Sequence, residues 1–247
     1  MKNIYLVKNK KKIFVFDKCS STMDVGWKLF KEGELKEGDS VFAYEQTKGR
    51  GQFRRKWISK KGNIYVSWLW KAFPWEERLI SLGIGVLLCK ALNQLNVPVK
   101  IKWPNDLILK EKKVGGILVE ERYNCFLVGI GLNLNFCPKM DELEREGLFP
   151  PGNLREVVSE QDPFLFWIKL KSCCMDLISQ LDLFAGEEFQ AQLNKYLAFC
   201  GKKVLVWNGT EQIEGRIVGV NFRGELELFQ DREISQIGSG TIIKVLE

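Results

Sequence analysis

The sequence predicts an α+β fold, with a mixed or antiparallel sheet covered by helices and followed by a small C-terminal β-barrel. Short apolar runs in the first 135 residues are joined mostly by turns rich in Gly, Asn and Lys, which predicts hairpin-linked strands. Longer stretches carry apolar residues at helical spacing. After Gly201 the pattern changes to short strands separated by glycine turns. We therefore expect a main domain over residues 1–200 and a small second domain over residues 201–247.

The strands follow from short runs of apolar and β-branched residues that are bounded by turn residues. Pro104 has no backbone N–H to donate, so the strand that begins at residue 99 should stop pairing there. In the main domain the predicted strands are 4–7, 13–16, 40–46, 63–70, 99–103, 107–109, 114–121 and 125–135. In the C-terminal part they are 203–207, 212–221, 225–229 and 242–246, and a barrel of about five strands is expected.

Four helices are predicted from apolar residues at helical spacing. The first begins behind the N-cap candidates Ser21 and Thr22 and ends at Gly33. The others cover residues 76–96, 162–181 and 186–199, and the proline-containing stretch 136–160 is expected to be a loop. Because an α+β sheet packs its helices together, we expect them to cover one face.

The composition excludes several classes of catalytic site. Of the 247 residues, 45% are hydrophobic and 28% charged, which is typical of a globular protein. The chain has no histidine, so a Ser-His-Asp triad, a Cys-His dyad and an imidazole metal site are excluded. Its seven cysteines form no C-x-x-C pair, and we interpret them as thiols of a reducing cytoplasm. The N-terminus resembles neither a signal peptide nor a membrane span, and the net charge of +6 suits an anionic ligand without demanding DNA.

A basic loop over residues 46–57 is the strongest candidate for an anion site. Seven Lys and Arg residues and no carboxylate lie within residues 48–61. Gly49 and Gly51 flank Arg50, so backbone N–H groups and a guanidinium can approach an anion together. The loop lacks the third glycine of a dinucleotide fingerprint and the Gly-Lys-Ser/Thr of a P-loop. From the loop alone, nucleic-acid binding and a solvated hairpin tip both stay open.

Three further motifs carry groups suited to phosphate or metal chemistry. Residues 102–106, Lys-Trp-Pro-Asn-Asp, end in a carboxylate, and Asp106 offers a hard oxygen ligand suited to Mg²⁺. Residues 113–118, Lys-Val-Gly-Gly-Ile-Leu, join a lysine to two glycines. Residues 129–133, Gly-Ile-Gly-Leu-Asn, let a ligand approach a strand closely. Each motif also has a structural explanation: a solvated lysine, a core tryptophan or a kink in the sheet.

Taken in this order, the four motifs resemble those of biotin protein ligases, also called biotin–[acetyl-CoA-carboxylase] ligases. The resemblance covers about residues 13–247 and implies a catalytic domain like that of class II aminoacyl-tRNA synthetases and biotin–lipoate ligases, with an SH3-like C-terminal barrel. It implies that biotin and Mg²⁺-bound ATP react to biotinyl-5′-AMP and pyrophosphate. The biotinyl group would then pass to a lysine of the biotin carboxyl carrier protein domain of acetyl-CoA carboxylase. Because the first step joins two anions, it needs cations and the exclusion of water.

The resemblance also implies roles for individual residues. The biotin site would comprise Ser21, Thr22, Gln46, Gly49, Arg50, Lys113, Gly116, Gly129 and Gly131. The ATP and adenylate contacts would come from Gln52, Arg55, Trp57, Asn105, Lys113 and Asn133. Lys113, Arg50 and Lys102 would supply the catalytic positive charge, and Asp106 would bind the metal.

The chain departs from the usual family motifs in three respects. Met23 follows the Ser-Thr pair where many members have asparagine. In the basic loop, Gln52, Phe53 and Arg54 replace the second arginine, the third arginine and the third glycine, so the adenylate would be held less firmly unless a neighbouring arginine takes over. The chain begins almost at the catalytic domain, which leaves no room for the N-terminal winged helix of some members, so DNA is not an expected partner. The oligomeric state is open, with a homodimer among the options.

Two alternative functions stay open at this point. Lipoate or octanoate ligases share the fold and also modify carrier lysines. A nucleic-acid-binding module would use the basic loop and the small barrel, and its binding would depend steeply on salt without ATP turnover.

Overall fold

The structure, a computed structural model, describes residues 2–71, 77–143, 149–178 and 186–246. Its central sheet consists of β1 (Lys2–Val7), β2 (Lys11–Phe16), β3 (Ser40–Ala43), β4 (Ile64–Trp70), β5 (Lys100–Lys102), β6 (Asp106–Leu109), β7 (Lys112–Arg122) and β8 (Cys125–Leu132). Within the described ranges the helices are α1 (Thr22–Lys31), α2 (Glu77–Gln94), α3 (Pro163–Ile178) and α4 (Gly186–Tyr196). The C-terminal strands are β9 (Lys203–Trp207), β10 (Gln212–Val220), β11 (Leu226–Gln230), β12 (Glu233–Ile237) and β13 (Thr241–Val245).

The central sheet is mixed, as the sequence predicts. Its strand order is β1-β2-β3-β4-β8-β7-β6-β5. The pair β2 and β3 is parallel and joined through α1, whereas the other neighbouring pairs are antiparallel. Hairpins bring β5, β6, β7 and β8 together in sequence order, because tight turns can join only antiparallel strands. Three of the four sequence motifs therefore lie on adjacent strands.

Side chains on the two faces of the sheet enter two separate apolar clusters. In β2, Ile13 and Val15 belong to one cluster and Phe14 to the other, as the two-residue period of a strand requires. The larger cluster includes residues of α2, α3, α4 and the C-terminal strands. The smaller one includes residues of α1, which packs on β3, β4 and β8. The expectation of helices on one face is therefore corrected: α1 covers part of the second face and leaves the rest open.

The C-terminal strands form an antiparallel sheet in the order β12-β11-β10-β9-β13. The strand β12 is missing from the strands that the sequence predicts, because its residues are mostly polar and exposed. A turn with positive φ at Asp231 and Arg232 nevertheless pairs it with β11. The division near residue 200 stays a prediction: α4 ends at Tyr196, β9 begins at Lys203, and apolar residues from both sides share one cluster.

Two strands end earlier than the sequence predicts. The strand β3 ends at Ala43, and the backbone of Gln46 forms isolated bridges with Cys19, before α1, and with Ser59, just after the basic loop. The strand β8 ends at Leu132, and Asn133 donates its backbone N–H to the Val114 carbonyl. Residues 76 and 179–181 of the predicted helices lie outside the described ranges. No helix in those ranges is long and apolar enough to span a bilayer.

A lysine is buried between α3 and the central sheet. Lys171 of α3 is 1% exposed, its Nζ donates to Ser40 Oγ at 3.0 Å, and it lies 5.5 Å from the ring centre of Trp68. Burial lowers the pKa of Lys171 to about 7, although the nearby Asp39 carboxylate opposes the shift. In the folded protein Lys171 therefore loses its proton near pH 7, whereas in the unfolded chain it keeps the proton up to about pH 10.

This burial predicts a specific pH dependence of stability. Between pH 7 and about 10 the unfolded chain keeps a proton on Lys171 that the folded chain has lost, so stability should rise with pH. Below pH 7 both states are protonated and the full cost of the buried charge is present. Compared with Lys171→Met, the wild-type unfolding free energy should therefore rise by about 1.4 kcal/mol per pH unit in this window. Urea unfolding at several pH values measures the difference. The exposed Lys169→Met serves as control, and parallel curves for wild type and Lys171→Met would contradict the prediction.

Candidate functional site

A cavity of about 960 Å³ opens on the face of the sheet that carries α1. Residues of β7 and β8 form its floor, residues 50–58 close one side, and residues 207–209 and 239–243 of the C-terminal part form another wall. All the residues that the resemblance assigns to the site line this cavity, with the exception of Gly49. Four motifs that are distant in sequence therefore converge on one site, whose size suits small-molecule ligands.

Gly49 is a buried residue of the basic loop that does not line the cavity but determines the shape of the loop. A Cβ atom at this position would lie 2.5 Å from the Trp57 carbonyl oxygen and 3.0 Å from Gln46 Nε2. Glycine is therefore required for the two arms of the loop to approach each other. The ligand contact expected of Gly49 is not supported by its position.

Polar side chains form a connected cluster at the end of the cavity beside α1. The backbone N–H of Thr22 donates to Gln46 Oε1 at 2.8 Å, and Ser67 Oγ donates to Thr22 Oγ1 at 2.8 Å. Gln46 Nε2 donates to Ser59 Oγ at 2.9 Å. The cluster fixes the direction of each donor and acceptor, so it can discriminate between polar ligand groups.

Two members of this cluster were missed by sequence reasoning, and one predicted member has two roles. Ser67 is the one serine within the otherwise apolar and aromatic strand β4, a signal that could have identified it. Ser59 carries no such signal. Ser21 caps α1 by accepting the Met23 N–H at 3.2 Å and also lines the cavity. Met23 Sδ would lie 3.0 Å from a Cβ atom at Gly129, so this glycine admits the thioether.

A carboxylate holds two lysines at another part of the cavity. Asp106 Oδ2 lies 3.0 Å from Lys102 Nζ, and Oδ1 lies 2.5 Å from Lys113 Nζ. The Lys102 side chain is 4% exposed and that of Lys113 is 32% exposed, so Lys113 is the more accessible ammonium. Burial tends to raise the pKa of Asp106, but the two ammonium groups outweigh it and lower the pKa to about 2. Burial is the main cause of a lowered pKa at Lys102, against the attraction of Asp106.

These contacts occupy both oxygens of Asp106, and the metal-ligand role expected of it stays a prediction. Each of its oxygens already faces an ammonium group. Among the described residues, no group of three or more His, Cys, Asp and Glu side chains could hold a metal ion. In this structure Asp106 is the counter-ion that orients two lysines.

Trp57 lies flat against the glycines of the floor. A Cβ atom at Gly131 would lie 2.6 Å from Trp57 Cε2, and one at Gly116 would lie 3.3 Å from Cζ3. Lys113 Nζ lies 5.4 Å from the indole ring, and the buried indole Nε1 finds no acceptor among the described residues. We expected the glycines to admit a ligand; in this structure they admit the indole. A buried N–H without an acceptor is unfavourable, so the indole N–H is a candidate partner for a ligand acceptor.

The two asparagines of the motifs hold the cavity walls together. Asn105 Nδ2 donates to the Ile117 carbonyl at 2.7 Å, and Asn133 Nδ2 donates to the Gly152 carbonyl at 2.9 Å. Both side chains line the cavity, so they support its shape whether or not they also contact a nucleotide. Gln52 and Arg55 line it from the short 3-10 turn of the basic loop. Their expected contacts with the adenylate stay predictions.

Arg50 does not present an isolated positive charge to the cavity. Its guanidinium is paired with Glu120 Oε1 at 2.8 Å and with Asp24 Oδ1 at 2.8 Å. Neither carboxylate belongs to a motif that the sequence singled out. The role of catalytic cation that was expected of Arg50 stays a prediction.

The C-terminal sheet contributes directly to the site, which sequence reasoning did not predict. Lys102 Nζ lies 3.2 Å from Thr241 Oγ1 and 5.2 Å from the ring centre of Phe149. Trp103 Nε1 donates to the Gly224 carbonyl at 2.9 Å. Lys102 and Trp103 thus join the central sheet to the C-terminal sheet.

Comparison with known proteins agrees with this geometry. The model of the biotin/lipoate A/B protein ligase family matches residues 15–136. The bifunctional ligase/repressor BirA of Salmonella typhimurium is 31% identical over 87% of this chain and 69% of its own length. The biotin–[acetyl-CoA-carboxylase] ligase of Paracoccus denitrificans is 29% identical over 76% of this chain and 82% of its own length.

A solved structure gives the same result for the whole fold. The biotin protein ligase from Aquifex aeolicus, determined in complex with biotin and ATP, superposes with a TM-score of 0.77 and 28% identity over 93% of this chain and 97% of that protein. The similarity extends across the central sheet and the C-terminal sheet. On the strength of the motifs, the fold and these relatives, the chain belongs to the biotin/lipoate A/B protein ligase family.

Proposed function

We propose that this chain is an ATP-dependent biotin protein ligase. It joins the carboxylate of biotin to the α-phosphate of ATP, which releases pyrophosphate and gives biotinyl-5′-AMP, and then passes the biotinyl group to a lysine of a carrier protein. The observation that carries the proposal is a single cavity with a connected polar cluster beside α1 and the Lys102–Asp106–Lys113 group in its wall.

The lysine group supplies the charge that the first step requires. Both reacting groups are anions, so their approach needs positive charge placed in advance in a site of low dielectric constant. Asp106 stays ionised at neutral pH because its pKa is about 2, and it lies between the two lysines. Lys113, the more accessible lysine, reaches the carboxylate and the α-phosphate. Lys102 lies behind the Asp106–Lys113 pair and contacts the other oxygen of Asp106.

The rest of the cavity selects the substrate and excludes water. The Thr22 hydroxyl and the Gln46 amide line the cavity, are fixed by each other and by Ser67 behind them, and can pair with the ureido group of biotin. The indole of Trp57 forms an apolar wall beside Lys113. Such a wall protects a mixed anhydride from hydrolysis.

The finer features of the reaction are also proposals. Mg²⁺ would arrive with ATP as part of the substrate, since Asp106 is already paired with two lysines. The carrier would be the biotin carboxyl carrier protein domain of acetyl-CoA carboxylase, in line with the activity named for the Paracoccus relative. A cytoplasmic location is supported by seven unpaired cysteines. A homodimer stays a prediction.

The proposed reaction is tested by pyrophosphate release from Mg²⁺-ATP in the presence of biotin or lipoate. We expect release with biotin and none with lipoate. Release with lipoate and none with biotin would favour the lipoate or octanoate ligases of the same fold, and equal release with both would contradict the proposed selectivity for biotin. No release with either, together with salt-dependent binding of single-stranded nucleic acid, would favour the nucleic-acid-binding module.

Replacing Lys113 by alanine should impair adenylation far more than biotin binding. Loss of a cation placed between two anions costs on the order of 3 kcal/mol of transition-state stabilisation, which is roughly 100-fold in rate. Pyrophosphate release at saturating ATP measures the rate, and calorimetry measures the biotin affinity. Lys112→Ala, an exposed neighbour on the other face of β7, is the matched control. A wild-type rate in Lys113→Ala would contradict the role given to this lysine.

Replacing Asp106 by asparagine should destabilise the protein even without any metal present. The change leaves two buried or half-buried ammonium groups without their carboxylate, and breaking such a group costs roughly 3–5 kcal/mol. Thermal unfolding in EDTA measures the loss, with the exposed Asp141→Asn as control. An unchanged unfolding temperature together with a weakened Mg²⁺ dependence of ATP binding would restore the metal-ligand role instead.

A further inference from the structure

Two carboxylates from outside the basic loop hold the guanidinium of Arg50. Glu120 of β7 accepts from Arg50 Nε at 3.0 Å and from Nη2 at 2.8 Å through the same oxygen, Oε1. Asp24 of α1 accepts from Nη1 at 2.8 Å. The Arg50 and Glu120 side chains are only 24% and 20% exposed, so water screens their contact less than it would screen a pair on an open surface. Charge-assisted bonds of this kind are the stronger ones.

Glu120 is itself fixed by groups that do not belong to the loop. Its other oxygen, Oε2, accepts from Trp27 Nε1 at 2.9 Å and from Arg122 Nη2 at 3.0 Å. Trp27 is 3% exposed within the apolar cluster under α1. Glu120 is therefore held in place independently of Arg50, and it offers the loop a fixed anchor.

This anchor lies beside the cavity, and Arg50 links it to the segment that carries Trp57. Gly116 and Glu120 are four residues apart on β7 and so lie on the same face of the sheet. Next to Arg50, the Gly49 carbonyl accepts from Trp57 N–H at 2.9 Å, and the Gly51 N–H donates to the Arg55 carbonyl at 2.8 Å. The chain around Arg50 is thus a small hairpin whose second arm carries the indole.

We propose that Glu120 is a positioning residue, assisted by Asp24, which acts through Arg50 to hold the loop and Trp57 in place beside the bound biotin and its adenylate. This inference rests on the proposed ligase function. Arg50 then holds the loop in position, since its guanidinium is already paired with two carboxylates. Glu120 touches no reacting atom and affects ligand retention and loop stability, while the lysines carry the chemistry.

The test compares Glu120→Gln with Glu121→Gln in the full-length chain. Glu121 is the exposed neighbour on the opposite face of β7 and serves as the matched control. In Glu120→Gln we expect the KM for biotin and the escape of labelled biotinyl-adenylate to rise about tenfold, while kcat for pyrophosphate release changes less than about threefold. Without ligand, trypsin should cut the loop at residues 54–56 several times faster than in the control. Asp24→Asn removes only the charged contact on the exposed side of Arg50. It should raise the KM for biotin, the adenylate escape rate and the trypsin rate in the same direction but by less.

A double-substitution cycle shows whether Glu120 acts through Arg50. In an Arg50→Gln background, Glu120→Gln should add almost nothing to the KM and the escape rate, because the two residues act as one unit. Additive effects, or an unchanged trypsin rate in Glu120→Gln, would overturn the proposal, since they would mean that Glu120 supports only Trp27 and β7. If biotin elicits no pyrophosphate from the wild type, the proposed function fails by itself, and the trypsin comparison still tests the anchor.

Discussion

One carboxylate shared by two lysines constrains the pairing of three adjacent strands of the central sheet. Lys102, Asp106 and Lys113 come from β5, β6 and β7, so the three strands must keep one register for the group to form. A shift by one residue would turn the Asp106 side chain to the other face and leave two ammonium groups unpaired. Burying a charge without a partner costs several kcal/mol, which makes the alternative registers unfavourable. The electrostatics of the site and the pairing of the strands therefore stabilise each other.

The floor of the cavity depends on a second constraint, the absence of side chains at adjacent strand positions. Gly116 of β7 and Gly131 of β8 are direct partners in the ladder. Together they leave a flat backbone surface wide enough for the Trp57 indole. A methyl group at either position would push the indole away from Lys113 or force the loop outward. The loop, the glycines and the lysine group thus form one connected structure.

The sequence predicted most of the secondary structure and the convergence of the motifs, because both depend on local patterns. What it could not predict were the partners of the charged side chains. Arg50 pairs with residues 26 and 70 positions away, and Lys102 contacts Thr241 across 139 positions. No local pattern encodes such distances, so these ion pairs could not be predicted, and the roles of Arg50 as a catalytic cation and Asp106 as a metal ligand stay predictions. A residue type predicts what a group can do, and its partners determine what it does.

The basic residues of the site fall into two groups, one exposed to water and one buried or half-buried. Five of the seven basic residues within positions 48–61 are exposed to water, where the interaction between unit charges is weak and screened by salt. They can raise the local concentration of anionic substrates and attract an acidic carrier. Lys102 and Lys113 lie in a region of lower dielectric constant, where the same charge acts several times more strongly on a bound anion. Lys102 keeps this environment through Thr241 of the C-terminal sheet, which is therefore a chemical part of the site as well as a structural one.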